Sequence, residues 1–305
     1  MSAQSARVLL EVEDFLPPRV SRWRSMGRIA RANPVGMVAF VIILGLVVTA
    51  LFASSLAPHG KTELGVGRAL EAPSSANLLG TDRLGRDIFS RMLYGARLSL
   101  LVGFGSVAIG TVLGSALGLI SGFRGGWTDL IIQRFMDVMM SIPPLLLAMV
   151  VIVALGASST NVIFAISIIL IPGAARVVRS VTLSLRARLF VEAAHASGAS
   201  ELRIIVRHVL PTALDEIMVL ASLGLGAAII LEAGLAFLGL GAQPPEPSWG
   251  GMLADGRSSF QTAPHMVYVP AAFISVTVLA AMILGDTVRD ILDPRVRGSQ
   301  GRVEL

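Results

Sequence analysis

The sequence predicts an all-α membrane protein with six transmembrane helices. Three observations carry that reading. The chain of 305 residues is 54% hydrophobic and 15% charged, with a mean hydropathy of +0.75, too apolar for a soluble domain of its size. Its apolar residues gather into six runs of the length a bilayer demands, about 20 residues for a hydrocarbon core about 30 Å thick. Its arginines cluster beside those runs, which accounts for a pI near 10.8 without a nucleic-acid-binding face.

The spans expected from hydropathy are 35–57, 98–122, 131–156, 161–180, 213–240 and 266–288. The first is uninterrupted from Val35 to Leu56, with Asn33 as a cap and Pro34 at the first helical position, and reads as a retained anchor. The second carries Gly110, Gly114, Gly118 and Gly122 at four-residue spacing, a stripe that lets a neighbouring helix approach its backbone. The third and fourth contain Pro143-Pro144 and Pro172, which should kink or break their helices; packing is favoured over transport as the reason. Ahead of the first span, Arg22, Trp23, Arg24, Met26, Arg28, Ile29 and Arg31 read as an interfacial segment held by anionic lipid headgroups.

Between the fourth and fifth spans stands Glu192-Ala193-Ala194-His195-Ala196-Ser197-Gly198, followed by His208-Val209-Leu210-Pro211. Glu192-Ala-Ala gives a short helix with a nearly bare face, and Gly198 permits a change of direction that a β-carbon would obstruct. A second short helix is expected from Leu202 to Val209, with Pro211 marking the next element. Such a helix-turn-helix at a membrane surface suits insertion into a cleft on a soluble partner.

Arginine placement orients the chain. Arg7 to Arg31, then Arg176 to Arg207, then Arg289 to Arg302 form three basic regions that six crossings put on one side, so the amino terminus, the Glu192 loop and the carboxyl terminus are expected in the cytoplasm. The connection 58–97 falls outside although it holds Lys61, Arg68, Arg83, Arg86, Arg91 and Arg97, offset in part by Glu63, Glu71, Asp82 and Asp87.

Catalytic chemistry is not found. The absence of cysteine excludes disulfides, thiolate metal sites and cysteine nucleophiles. Gly60-Lys61-Thr62 imitates the end of a phosphate-binding loop, but Ser55 stands where that pattern wants glycine. The chain should make no nucleotide site, so if ATP drives it, another subunit supplies the ATPase. Two further residues are candidates. Glu232, an acid inside the fifth span, either lines a solute path or bonds a neighbouring helix. Trp249, in the proline- and glycine-rich loop 241–265, is either a contact for an external binding protein or an interfacial anchor.

Leu79-Gly80-Thr81-Asp82-Arg83-Leu84-Gly85-Arg86-Asp87-Ile88-Phe89-Ser90-Arg91 and Tyr94-Gly95-Ala96-Arg97-Leu98-Ser99-Leu100 resemble the signature at the second span of C-type permeases of dipeptide and oligopeptide ABC importers. Gly125-Gly126-Trp127, Arg134-Phe135-Met136-Asp137, the Glu192-Ala-Ala loop, Phe237-Leu238-Gly239-Leu240-Gly241, Pro244-Pro245-Glu246-Pro247-Ser248-Trp249-Gly250, Leu284-Gly285-Asp286 and Leu292-Asp293-Pro294-Arg295 match in the same order, over roughly 34–297. His208 departs from the aliphatic residue of the general ABC motif and resembles the peptide branch.

The resemblance implies the type I ABC importer permease (MetI-like) architecture with a cytoplasmic EAA coupling-helix loop, in a bacterial inner membrane. It also implies the partners: a homologous B-type permease, two ATP-binding cassette ATPase domains that bind ATP and Mg, and an extracytoplasmic solute-binding protein. Carried over, Glu192, Ala193, Ala194 and Gly198 form the coupling element, and Arg207, Leu210 and Pro211 position its return to the membrane, with Glu192 finding a cation or capping backbone groups. The organisation is then a cytoplasmic tail with an interfacial segment over 1–33, a permease domain over 34–290 and a cytoplasmic tail over 291–305. Within the domain lie the coupling loop 190–211 and the outer loops 58–97 and 241–265. The rival reading from another class is an ATP-independent secondary transporter or channel subunit, against which stand the absence of a visible inverted repeat and a loop that would have no use.

Overall fold

The computed structural model describes residues 33 to 292, so the interfacial segment expected around Arg22 to Arg31 and the basic residues after Leu292 lie outside the described residues. Within them the regular structure is helical, with one isolated bridge between Thr81 and Asp87.

Helix α1 (Pro34–Leu51) starts on Pro34, whose missing N–H is one that no helix start can use. Asn33 caps it through its carbonyl, 3.1 Å from the Met37 amide, and not through its side chain. A short α2 (Ala53–Leu56) follows. Helix α3 (Ile88–Arg124) begins well before the span hydropathy marks, because Arg91 and Arg97 mask its first turns. Its real start is set by Asp87, whose carboxylate accepts from the Ser90 amide at 2.8 Å.

The expected third span is two helices, α4 (Gly126–Ser141) and α5 (Pro144–Leu155), bent by 95° at the junction. Pro143-Pro144 is the cause: neither residue can donate to a helical carbonyl, and Ile142 and Pro143 are driven to extended ψ of 130° and 131°. Helix α6 (Ser159–Arg186), capped by Ser158, continues through Pro172 without ending there. Pro172 and Gly173 instead border a cavity of about 180 Å³ that they share with Ile142 and Pro144 at the bend. Beyond it come α7 (Leu189–Ala196), α8 (Glu201–Ile204), a π turn over Ile205–Val209, α9 (Leu210–Phe237), α10 (Trp249–Gly256) and α11 (His265–Leu292).

The glycines reveal the helix directions. Along α3, Gly110 faces Leu170, Gly114 faces Ile171, Gly118 faces Ala175 and Gly122 faces Arg179, so α3 and α6 run parallel. This is the expected seam: an added Cβ would come within 2.5 Å of the Ala175 carbonyl at Gly118 and 2.6 Å of the Ile171 carbonyl at Gly114. Parallel neighbours oblige the chain between them to return the full height of the bundle, and the bent α4–α5 pair is that return crossing. Helix α9 opposes α3, with Gly103 against Ile229 and Gly224 against Val107. Helix α11 opposes α9, with Gly226 against Val278 and Gly285 against Leu223, and α1 starts beside Thr287 near the end of α11.

Five single helices and the bent pair therefore alternate in direction. The start of α1, the segment 187–209 and the end of α11 share one end of the bundle, the near end. Segments 52–87 and 238–264 share the far end, where Lys61 meets Glu246 and Arg83 donates to Ser259. The main core, with Ile88, Met92, Leu100, Ile166, Ile229 and Leu235, lies between.

Candidate functional site

The near end carries a compact helical hairpin. Helix α7 ends in paired backbone bonds, Ala199 N to Ala194 O at 3.1 Å and Gly198 N to His195 O at 2.9 Å, with Gly198 at φ +75°. This is the Schellman arrangement, and its left-handed residue is what the sequence supplies as glycine. A Cβ on Gly198 would meet no atom within 4 Å, so glycine is needed there for its backbone angle and not for space.

The return differs from the expected separate helix over Leu202–Val209. From Glu201 to Phe237 the backbone stays helical, and Pro211 lies in the first turn of α9 instead of at a break. The ring of Pro211 would collide with the carbonyl of Arg207 in a regular α-helix; the wider π turn over Ile205–Val209 absorbs it.

The hairpin is footed on the bundle by apolar side chains. Val191, Ile204, Val209 and Ala213 are buried with Leu119 and Phe123 of α3 and Val178 and Leu185 of α6, and Leu210 packs against the same group. The Phe123 ring stacks on His195, with centroids 6.0 Å apart and planes 21° from parallel. Arg124 and Glu201 add an ion pair at 3.4 Å, mostly exposed and therefore of little weight.

The opposite surface faces outward. Glu192, Ala193 and Gly198 are exposed, Ala194 is partly covered, and Leu189 and Leu202 are 82% and 70% exposed. Among the described residues the Glu192 carboxylate has neither an ion pair nor a hydrogen bond, so none of them supplies the cation or cap expected for it. Arg207 is likewise exposed, in the π turn, and Pro211 is exposed beside it. The hairpin thus turns outward an exposed apolar patch around small residues, with a charge that is unpaired among the described residues.

A second feature stabilises this end. Arg179 of α6 grips Asp129 of α4 through Nε and Nη2, both at 2.5 Å, while the Ser121 hydroxyl of α3 donates to the same carboxylate and Gln133 Nε2 reaches Ser121 at 3.0 Å. Three helices thus meet at one carboxylate just behind the hairpin.

At the far end the two remaining candidates are inside the protein. Glu232 is 3% exposed, and the hydroxyls of Ser99 and Ser248 hydrogen-bond its carboxyl; its Oε2 has no partner. Buried within this chain, it joins α9 to α3 and to the cap of α10. Trp249 is 0% exposed, its indole donating to the Met92 carbonyl at 3.1 Å and its amide to Ser99 Oγ at 3.3 Å. That corrects the surface role expected for it: the loop folds back and seats the ring against α3, where Gly95 leaves room.

The signature segment forms a knot beside them. Asp82 Oδ1 accepts from the amides of Leu84 and Arg86 at 2.8 and 3.0 Å, and its Oδ2 takes Arg86 Nε at 2.6 Å. Gly85, at φ +69°, turns the chain where a Cβ would lie 2.6 Å from the Gly67 carbonyl.

A family model described as "Binding-protein-dependent transport system inner membrane component" matches residues 114–298. The chain belongs to that family. A second model, the N-terminal TM domain of oligopeptide transport permease C, matches residues 21–73 of this family member. Among its relatives, the dipeptide transport system permease protein DppC of Alkalihalophilus pseudofirmus is 42% identical over 97% of this chain and 100% of its own length. The glutathione transport system permease protein GsiD of Pectobacterium atrosepticum is 43% identical over 90% of this chain and 92% of its own. In fold, the family member resembles chains from inward-facing structures of the MetNI methionine ABC transporter. One such chain has a TM-score of 0.54 at 19% identity, covering 68% of this chain and 98% of that one.

Sequence reasoning missed three things in this inner-membrane component: the Asp129–Arg179 grip, the Phe123–His195 stack and the seating of Trp249. None of the three had a signal in the sequence, because each joins segments far apart along the chain, as Asp129 and Arg179 do.

Proposed function

We propose that the chain is one of the two permease subunits of an ATP-driven importer of dipeptides or oligopeptides in a bacterial inner membrane. The near end faces the cytoplasm. There the hairpin of Glu192, Ala193, Ala194 and Gly198 inserts into a cleft on an ATP-binding cassette subunit, with Arg207, Leu210 and Pro211 fixing its return into α9. Two such ATPase domains hold ATP and Mg, a homologous B-type permease completes the pathway, and an extracytoplasmic binding protein delivers solute at the far end. Membrane lipid surrounds the exposed apolar faces.

The observation that carries this reading is the hairpin's two-sidedness. Its inner face is locked onto α3 and α6 by buried aliphatics, whereas its outer face is small, apolar and unpaired. A push on such a body is passed to two membrane helices instead of being lost in a loose loop. The relatives named for dipeptide and glutathione transport support a peptide as solute. Uptake of a labelled dipeptide into proteoliposomes holding the complex that co-purifies with this chain tests the proposal. Uptake should require ATP inside the counterpart of the cytoplasm and binding protein on the other face.

A further inference from the structure

We infer that the far-end cavity beside Arg91 receives the free carboxylate of a short zwitterionic peptide on its way into the pathway. The inference rests on the peptide-importer reading and adds a solute contact to it. The cavity measures about 220 Å³ and is bounded by Arg86 and Arg91 of the signature segment, by the loop from Gly239 to Glu246, and by Asp255 of α10.

Arg91 is 5% exposed, an expensive position for a charge unless its donors are used. A guanidinium has five N–H donors in a planar fork. Here one reaches the Lys61 carbonyl at 3.4 Å, and Nε stands 3.6 Å from Asp82 Oδ2. That oxygen is already held by Arg86 at 2.6 Å, and the other carboxylate oxygen of Asp82 serves two backbone amides. Two guanidinium groups therefore share one occupied carboxylate, and both arginines line the cavity. Asp255 borders the same space and its charge attracts Arg91 without closing to an ion pair, and Glu246 is engaged by Lys61 at 2.5 Å. The anion that best complements a guanidinium lining such a cavity is a planar one able to take two parallel N–H bonds, which is a carboxylate.

The size of the cavity argues for the solute and against a lone acidic side chain reaching in. At about 220 Å³ it is far larger than a single carboxylate fills. Asp255, which is in no ion pair among the described residues, offers an anionic partner for an ammonium group in the same space, so both ends of a short peptide are provided for.

The test uses the complete co-purified complex in lipid nanodiscs and saturation-transfer NMR with three probes: Ala-Ala, its carboxamide and acetate. Ala-Ala should bind the wild type about tenfold or more tightly than the carboxamide, and Arg91→Lys, which keeps the charge but loses the fork, should remove that preference while the subunits still co-purify. Equal binding of acid and amide to the wild type, or a preference unchanged in Arg91→Lys, overturns the inference even if an arginine variant fails to assemble. Acetate bound with Ala-Ala excluded also overturns it, leaving the site to an acidic side chain of a docked protein. ATP-driven uptake by the wild type, measured separately, reports on the importer reading alone.

Discussion

Arg179 holds Asp129 with two nitrogens, each 2.5 Å from a different carboxylate oxygen, and so fastens the start of the bent third crossing to the end of the fourth. The pair sits directly behind the near-end hairpin, with Ser121 of α3 as a third member. Asp129→Asn keeps the shape and loses the charge. It should lower the unfolding temperature of the purified complex by an amount equivalent to about 1 kcal/mol, and a cycle with Arg179→Gln should show the two effects to be less than additive. Full additivity would mean that the grip contributes nothing.

Gly198→Val tests the hairpin itself. A β-branched residue at φ +75° costs about 1 to 2 kcal/mol of backbone strain, although it meets no neighbour. The variant should insert and reach normal abundance, yet lose ATPase co-purification or uptake at least in large part. Gly198→Asn, which tolerates that angle, should retain more of both. Normal uptake by the valine variant would show that the turn is dispensable.

The parallel α3–α6 seam predicts a sharp contrast among glycines. Gly118→Val forces a Cβ into the Ala175 carbonyl at 2.5 Å and should abolish stable assembly, since overpacking of this kind costs about 1 to 3 kcal/mol or more. Gly45→Ala and Gly173→Ala, where the added atom meets nothing within 4 Å, should leave expression and melting temperature unchanged. Abundance in membranes and thermal unfolding in detergent separate the two classes.

The far-end clasp predicts a structural outcome for both of its candidates. Trp249→Ala empties a fully buried site and should cost about 3 to 5 kcal/mol, with loss of assembled complex. Glu232→Gln preserves the shape and the bonds from Ser99 and Ser248, so uptake should stay near wild type at equal expression. A Gln variant that assembles normally but transports nothing would give Glu232 a role in the path after all.

Orientation is open to direct reading, because the chain has no cysteine of its own. Single substitutions Ala193→Cys and Ser75→Cys stand on exposed residues at opposite ends of the bundle. A membrane-impermeant maleimide added to intact cells should label the second and spare the first until the membrane is opened. The reverse pattern would turn the topology over.

Much of this architecture was legible in the sequence because a bilayer is a severe solvent. It demands about 20 apolar residues per crossing, so the number of crossings could be counted, and it leaves glycine seams and proline breaks visible. What it does not dictate is how segments meet. Hydropathy placed the second span at Leu98 because Arg91 and Arg97 hid the turns that Asp87 in fact starts. Pro172 looked as disruptive as Pro143-Pro144, yet one faces the bend and the other makes it. The excess of cations in 58–97, awkward for orientation, is partly absorbed within the protein: Lys61 pairs with Glu246, Arg86 pairs with Asp82, and Arg83 donates to Ser259. The turn of the near-end hairpin could be read because it needs glycine locally, and Gly198 sits at φ +75°. The burial of Trp249 could not, because an amphipathic ring suits a membrane interface as well as a core.

In the proposed function the hairpin is the point where ATP hydrolysis acts on this chain. The most direct measurement is ATP-driven dipeptide uptake in proteoliposomes by the co-purified complex, with Gly198→Val and wild type compared at equal amounts of inserted permease. The prediction is ATP-dependent uptake by the wild type, recovery of P-loop ATPases and a second permease with it, and loss of coupled uptake in the variant. Uptake that proceeds without ATP, from a preparation containing this chain alone, would contradict it.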